Sequence, residues 1–117
     1  MKVIIAGTRT ITDSYLLQQA INDSGFTITT VISGGAAGVD TLGEQWASTN
    51  NIPTEVFPAE WATHGNKAGQ LRNEVMGSKG DALIAIWDGK STGTKHMIDV
   101  AKRNGLQVHV MNLSNLN

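Results

Sequence analysis

Thr30-Val31-Ile32-Ser33-Gly34-Gly35-Ala36-Ala37-Gly38-Val39-Asp40 passes from a short apolar run through a glycine-rich turn into a helical pattern. Residues 38–50 place Val39, Leu42, Trp46 and Ala47 at i, i+3, i+7 and i+8, one apolar stripe of a helix. The unit is strand, turn, helix, and it recurs outward in both directions. Val3-Ile4-Ile5-Ala6 is a continuous apolar run, as a strand buried on both faces requires. Gly7-Thr8-Arg9-Thr10 follows it, then a helix over 13–24 with Thr12 or Asp13 as cap and Gly25 as stop. Thr54 to Phe57 is a weak third strand and Ala82 to Trp87 a strong fourth. A helix over 69–77, ending at Gly77, joins them, with Leu71, Val75 and Met76 grouped on its apolar side. A helix over 93–104, capped by Ser91 or Thr92 and stopped by Gly105, leads to a fifth strand at Val108 to Met111. Strict alternation of strand and helix predicts an α/β fold with a mainly parallel five-stranded sheet and right-handed crossovers.

The chain has 117 residues, which predicts a single domain over 1–117 with its core at 2–111. Asn112 to Asn117 are polar and are expected to fray. The connection from Pro58 to Ala68 is longer than usual for such units and is a candidate lid or binding loop. Absence of cysteine excludes a disulfide scaffold, a zinc ribbon and a thiol nucleophile. Nine Lys and Arg against ten Asp and Glu is not the footprint of a protein that wraps duplex DNA. No apolar run reaches the roughly 20 residues of a membrane span, and Val3–Ala6 is too short for a signal peptide. A cytoplasmic domain without metal or cofactor is the expectation.

In an open parallel sheet, ligands bind beyond the carboxyl ends of the strands. Eight of the 13 glycines (7, 34, 35, 38, 65, 69, 89 and 93) fall in the segments after the first four strands. Glycine lets a ligand approach the backbone, and free N–H groups with a helix N-terminus hold an anion without side chains. Two loops, Ser33–Gly38 and Gly89–Thr94, are therefore expected to face each other around a phosphate. Thr8, Ser33, Ser91 and Thr94 add hydroxyl donors, and Arg9, Lys67, Arg72, Lys90 and Lys95 add positive charge. Glycine-rich strand-to-helix turns also occur for purely conformational reasons, so either loop alone carries little. Neither the P-loop pattern nor Gly-x-Gly-x-x-Gly occurs, which argues against an ordinary kinase, GTPase or dehydrogenase.

In combination these residues resemble the SLOG superfamily, its YspA/YpsA-related small proteins in particular. The resemblance rests on Gly7-Thr8-Arg9, Ser33-Gly34-Gly35-Ala36-x-Gly38-Val39-Asp40, Pro58-Ala59-x-Trp61, Lys67-Ala68-Gly69-x-x-Arg72-Asn73-x-x-Met76 and Trp87-Asp88-Gly89-x-Ser91-x-Gly93-Thr94. The second segment is also similar to the DNA-processing protein DprA/Smf. The resemblance implies a Rossmann-like three-layer α/β/α domain that binds a nucleotide or nucleotide-derived ligand at its glycine-rich edge, commonly as a homo-oligomer. A more distant branch, the Lonely Guy phosphoribohydrolases, splits the N-glycosidic bond of a nucleoside monophosphate. Arg72-Asn73-Glu74-Val75-Met76 matches that branch's Arg-Lys-x-x-Met helix, and Asp88–Thr94 matches its glycine loop loosely. The glutamate that follows Gly-Thr in that branch is not present; Lys95-His96-Met97 stands there.

Cleaving an N-glycosidic bond builds positive charge on the ribose and calls for a nearby carboxylate. Asp40, in the first turn of its helix, and Glu44, one turn on, are the candidate acids, with helix capping and a solvated face as their plain alternatives. Arg72 is the candidate catalytic cation, since arginine grips phosphate bidentately. The ligand-binding candidates after the first two strands are Gly7, Thr8, Arg9, Ser33, Gly34, Gly35, Ala36 and Gly38. Trp61, Lys67 and Asn73 follow, then Asp88, Gly89, Ser91, Gly93 and Thr94. Asp88 either meets ribose hydroxyls or closes a turn. His64 and His96 are candidate proton donors or solvated positions, and His109 is structural. Trp61 and Trp87 flank the loops and suit base stacking, with core packing an equal reading for Trp87. Three functions remain: a nucleotide N-glycosidase, a non-catalytic sensor of an ADP-ribose-like signal, and single-strand nucleic-acid binding.

Overall fold

The computed structural model describes residues 1–116, with side chains through residue 114. Five strands and five helices follow in order, with two helices between the third and fourth strands: β1 Lys2–Gly7, α1 Ser14–Ser24, β2 Thr30–Ser33, α2 Val39–Thr49, β3 Thr54–Val56, α3 Trp61–His64, α4 Ala68–Lys79, β4 Ala82–Trp87, α5 Thr92–Arg103 and β5 Gln107–Asn112. All strand pairs are parallel and the order is β3-β2-β1-β4-β5. The fold is therefore a Rossmann-like α/β domain, and its chain reverses direction across the sheet between β1 and β4.

The apolar runs of β1, β2 and β4 feed both faces by alternation. Val3, Ile5, Val31, Ile84 and Ile86 pack with Leu17, Ala20 and Ile21 of α1 and Val39, Leu42 and Ala47 of α2. Ile4, Ala6, Ile32, Leu83 and Ala85 pack with Met76 of α4 and Met97, Ile98, Val100 and Ala101 of α5. Both faces are thus covered, which is why the strands read as continuous apolar runs rather than alternating ones. Asp13 caps α1 by accepting from Tyr15 N at 2.9 Å, and Gly25 closes it in the left-handed region.

Three expectations need correction. Helix α4 does not stop at Gly77 but runs to Lys79. Gly77 is buried against α5: a Cβ there would stand 2.5 Å from Val100 Cγ1 and 2.8 Å from Asn104 Nδ2. Its missing side chain serves helix–helix contact, not termination. Leu71 and Val75 do not join Met76 in the core; they are 41% and 45% exposed on the outer face of α4. The side that α4 buries is instead Ala68, Asn73, Met76 and Gly77, three of the four polar or small. Finally, the chain does not fray at Asn112. Asn112 pairs with Trp87 in β5, Leu113 packs on the first core cluster, and Leu113–Leu116 form a 3-10 turn. The Asn117 end of that expectation lies outside the described residues. The Pro58–Ala68 connection is folded, with α3 and a 3-10 turn at Gly65–Lys67 leading directly into α4. No helix among the described residues is long and apolar enough to cross a membrane.

Candidate functional site

Loops leaving β1 and β4 diverge to opposite faces of the sheet, and a cleft of about 520 Å³ opens between them. Gly7, Thr8 and Arg9 line it from β1, and Asp88 and Ser91 to Thr94 from β4 and α5. Arg72 and Asn73 reach it from α4, Ala36 and Asp40 from the loop and helix after β2. Ala6, Met76 and Met97 supply apolar lining. A smaller cleft of about 240 Å³ adjoins it, sharing Arg9, Ala36, Trp61 and Arg72 and adding Gly34, Gly35 and Pro58. The two glycine loops do not face each other directly. β1 lies between β2 and β4, so the Gly7–Arg9 segment stands between them.

Two N–H groups of the Ser33–Gly38 loop are used locally. Gly35 N donates to Ser33 Oγ at 3.1 Å, and Ala36 N donates to Asp40 Oδ2 at 3.2 Å. Ser33 Oγ in turn donates to Glu44 Oε2 at 2.7 Å. The Gly34 carbonyl accepts from Arg72 Nη1 at 2.6 Å. A Cβ on residue 34 would strike the Arg72 guanidinium and stand 2.8 Å from Asp40 Oδ2. Gly38, at φ +75°, lies directly on the Thr8 and Arg9 carbonyl groups. Gly34 here makes a seat for Arg72.

Open N–H groups also lie at the start of α5. Asp88 Oδ1 accepts from Lys90 N and Ser91 N, each at 2.8 Å, and these bonds hold its carboxyl below the usual range. Asp88 N donates to Thr8 Oγ1 at 3.1 Å, tying the β4 turn to the β1 loop. Ser91 Oγ caps α5 by accepting from Thr94 N at 3.4 Å. The N–H groups of Thr92 and Gly93 have no partner among the described residues, as the first turn of a helix leaves them. A Cβ on Gly93 would meet nothing within 4 Å, so packing does not explain this glycine. An α-helix start with open N–H groups facing a cleft favours an anion.

Arg72 reaches across the cleft. Nη1 holds Gly34 O, and Nε donates to Asn73 Oδ1 at 3.1 Å. Three of the five guanidinium N–H donors remain for a ligand. Burial pulls its pKa below the ordinary value, while Asp40 opposes that shift. Asp40 is only 5% exposed, and desolvation pushes its carboxyl up to about 6 against the pull of Ala36 N–H, Arg72 and Arg9. Glu44 adds to the rise. A carboxylic acid titrating near neutrality beside two arginines is poised to accept or give a proton at a bound ligand. Asp40 also braces its loop through Ala36, so the structural role and the cleft position coexist.

Other candidates fall elsewhere. Glu44 lines neither cleft and is occupied by Ser33, which is fully buried. Lys67 is exposed and lines neither, and Gly89 turns toward Ser114. Trp87 donates from Nε1 to Ser91 O at 3.0 Å and packs on the second core, so it braces the loop from behind. Trp61 is 52% exposed at the rim shared by both clefts, open for stacking. His64 faces Glu60 at 3.7 Å outside the clefts. His96 lines the main cleft and meets Asn73 Nδ2 at 3.1 Å, a pairing that spacing alone does not reveal. Gln70, Asn66 and Thr10 also line it without a motif to mark them. No group of three or more metal-ligating side chains forms among the described residues.

A family model described as the YspA, cpYpsA-related SLOG family matches residues 1–64, which include the turns after β1 and β2. The chain belongs to this SLOG family. A curated relative, the Gene 61 protein of Mycobacterium phage D29, is 33% identical over 117 residues, covering 92% of this chain and 93% of that protein. No solved structure gives a significant match. The SLOG match ends before α4, so Arg72, Asn73 and the α5 N-terminus join the site by geometry rather than by that match.

Proposed function

We propose that this SLOG protein binds a nucleotide or nucleotide-derived ligand in the cleft between β1 and β4. One observation carries the reading: the open N-terminus of α5, bare at Gly93, faces the same cleft as the free donors of Arg72. A phosphate at the Thr92 and Gly93 N–H groups would gain the helix dipole and a bidentate arginine together. Trp61 at the rim offers a face to an aromatic base.

Asp40 favours a second, chemical step. Its carboxyl is buried in the cleft and titrates near neutrality, as an acid acting on an N-glycosidic bond needs. Asp40 would carry that chemistry without Glu44, which is bound to Ser33. Binding alone makes the protein a sensor or sequestering protein for a nucleotide signal. The cytoplasm is the compartment where such ligands are met.

The test is titration of AMP, GMP, CMP and UMP into the protein, with free base followed by chromatography. Binding that Arg72→Ala weakens by at least about tenfold supports the cleft. Base release that Asp40→Asn abolishes supports the hydrolase, and binding without release supports the sensor. Oligonucleotide binding with no affinity for any mononucleotide would refute both.

A further inference from the structure

Resting on that reading of the cleft, we propose that His96 is the donor that reads the ligand's base, with Asn73 as the residue that positions it. Asn73 is buried, and its amide is fixed by two partners that each allow only one sense. Arg72 Nε can only donate, so it takes Oδ1 at 3.1 Å. The Gly93 carbonyl can only accept, so it takes Nδ2 at 3.3 Å. The same Nδ2 meets His96 Nδ1 at 3.1 Å. With Nδ2 a donor, Nδ1 must accept, and the neutral imidazole carries its proton on Nε2.

A chain of hydrogen bonds thus runs from Gly34 O through Arg72 and Asn73 to His96, linking the loop after β2 to α4 and α5. His96 lines the cleft from the second turn of α5, and its Nε2 has no partner among the described residues. Met76 and Met97 share that α4–α5 wall, and thioether side chains suit an aromatic ring. The open N–H groups of Thr92 and Gly93 lie on the same helix, one turn before His96. A phosphate held there leaves His96 to the rest of the ligand. Every base presents at least one ring nitrogen or carbonyl acceptor on its edge, the group an Nε2–H donor can read.

The experiment uses two probes on the intact protein. One is the most tightly bound of AMP, GMP, CMP and UMP; the other is ribose 5-phosphate, which has the phosphate and sugar but no base. His96→Ala is expected to weaken the nucleotide about tenfold and to leave ribose 5-phosphate within about twofold. His96→Gln, whose amide nitrogen can reach the place of Nε2, is expected to restore most of the loss. Nitrogen-15 NMR of the imidazole is expected to show Nδ1 unprotonated and Nε2 protonated at neutral pH, and Asn73→Asp to invert that pattern. Equal losses on both probes, or no loss on either, would overturn the role of His96 while leaving the cleft reading intact. A protonated Nδ1 in the wild type would overturn the positioning by Asn73. Failure of the wild type to bind any of the five compounds would overturn the cleft reading and this one together.

Discussion

Replacing Asp40 by asparagine is expected to stabilise the fold at neutral pH. Desolvation raises this carboxyl from 3.8 to about 6. The folded state therefore holds the Asp40 proton more tightly than the unfolded state. Folding is unpenalised below the unfolded value, loses stability as pH rises through the interval, and bears the full penalty above about pH 6. Roughly two pKa units correspond to about 3 kcal/mol at about pH 7.5. By the same linkage, about 1 kcal/mol of penalty is left near pH 4.5. Asparagine keeps an oxygen for Ala36 N–H but carries no charge to desolvate. Its extra N–H donors need partners, which reduces the gain to about 1–3 kcal/mol at neutral pH. Urea unfolding of both proteins at the two pH values measures the difference directly, and the variant's advantage should shrink by about 2 kcal/mol on acidification. An asparagine variant less stable than wild type at neutral pH would refute the assignment. So would an advantage that does not change with pH. Stability gained here together with loss of ligand chemistry would mark Asp40 as kept for the site, not for the fold.

Two further substitutions separate packing from function among the glycines. Gly93→Ala is expected to leave thermal unfolding unchanged or raise it by up to about 1 kcal/mol, since its Cβ meets nothing and alanine favours the helix. Calorimetric titration of the same variant should show nucleotide binding weakened by the methyl group in the cleft. Gly77→Ala should do the reverse: about 1–3 kcal/mol of lost stability in urea, because the new methyl group overlaps Val100 and Asn104, with nucleotide affinity unchanged.

Fold class was legible because it depends on pattern alone. Five apolar runs separated by capped helical stripes leave few arrangements other than a parallel sheet covered on both faces. Where the reading went astray, a local signal had two physical meanings. Gly77 looks like a helix stop, yet a glycine within a helix also lets a second helix approach, and only the position of α5 decides between them. Leu71 and Val75 look like core by spacing. Yet α4 buries Asn73 instead, because the face turned toward α5 and the cleft is partly polar.

The site was legible as a list of groups but not as a set of pairings. Glycine-rich turns after the strands mark the edge at which the cleft opens, since the topology carries every such turn there. Which of them stays open to a ligand depends on bonds between distant residues. Arg72 lies 38 residues from the Gly34 carbonyl it holds, and Asn73 lies 20 and 23 residues from Gly93 and His96. Those bonds reverse the roles that local chemistry suggests. In Ser33-Gly34-Gly35-Ala36, the most phosphate-like stretch, the Gly35 and Ala36 N–H groups turn inward to Ser33 and Asp40 and the Gly34 carbonyl is offered to the arginine. Asp88-Gly89-Lys90-Ser91 closes its own turn and leaves the next two N–H groups free. A half-buried arginine held by a backbone carbonyl and an amide is fixed before any ligand arrives, so little side-chain entropy is left to lose on binding. On the proposed reading, Gly34 of the first loop would act on the ligand through Arg72, and Gly93 of the second by its absence of a side chain.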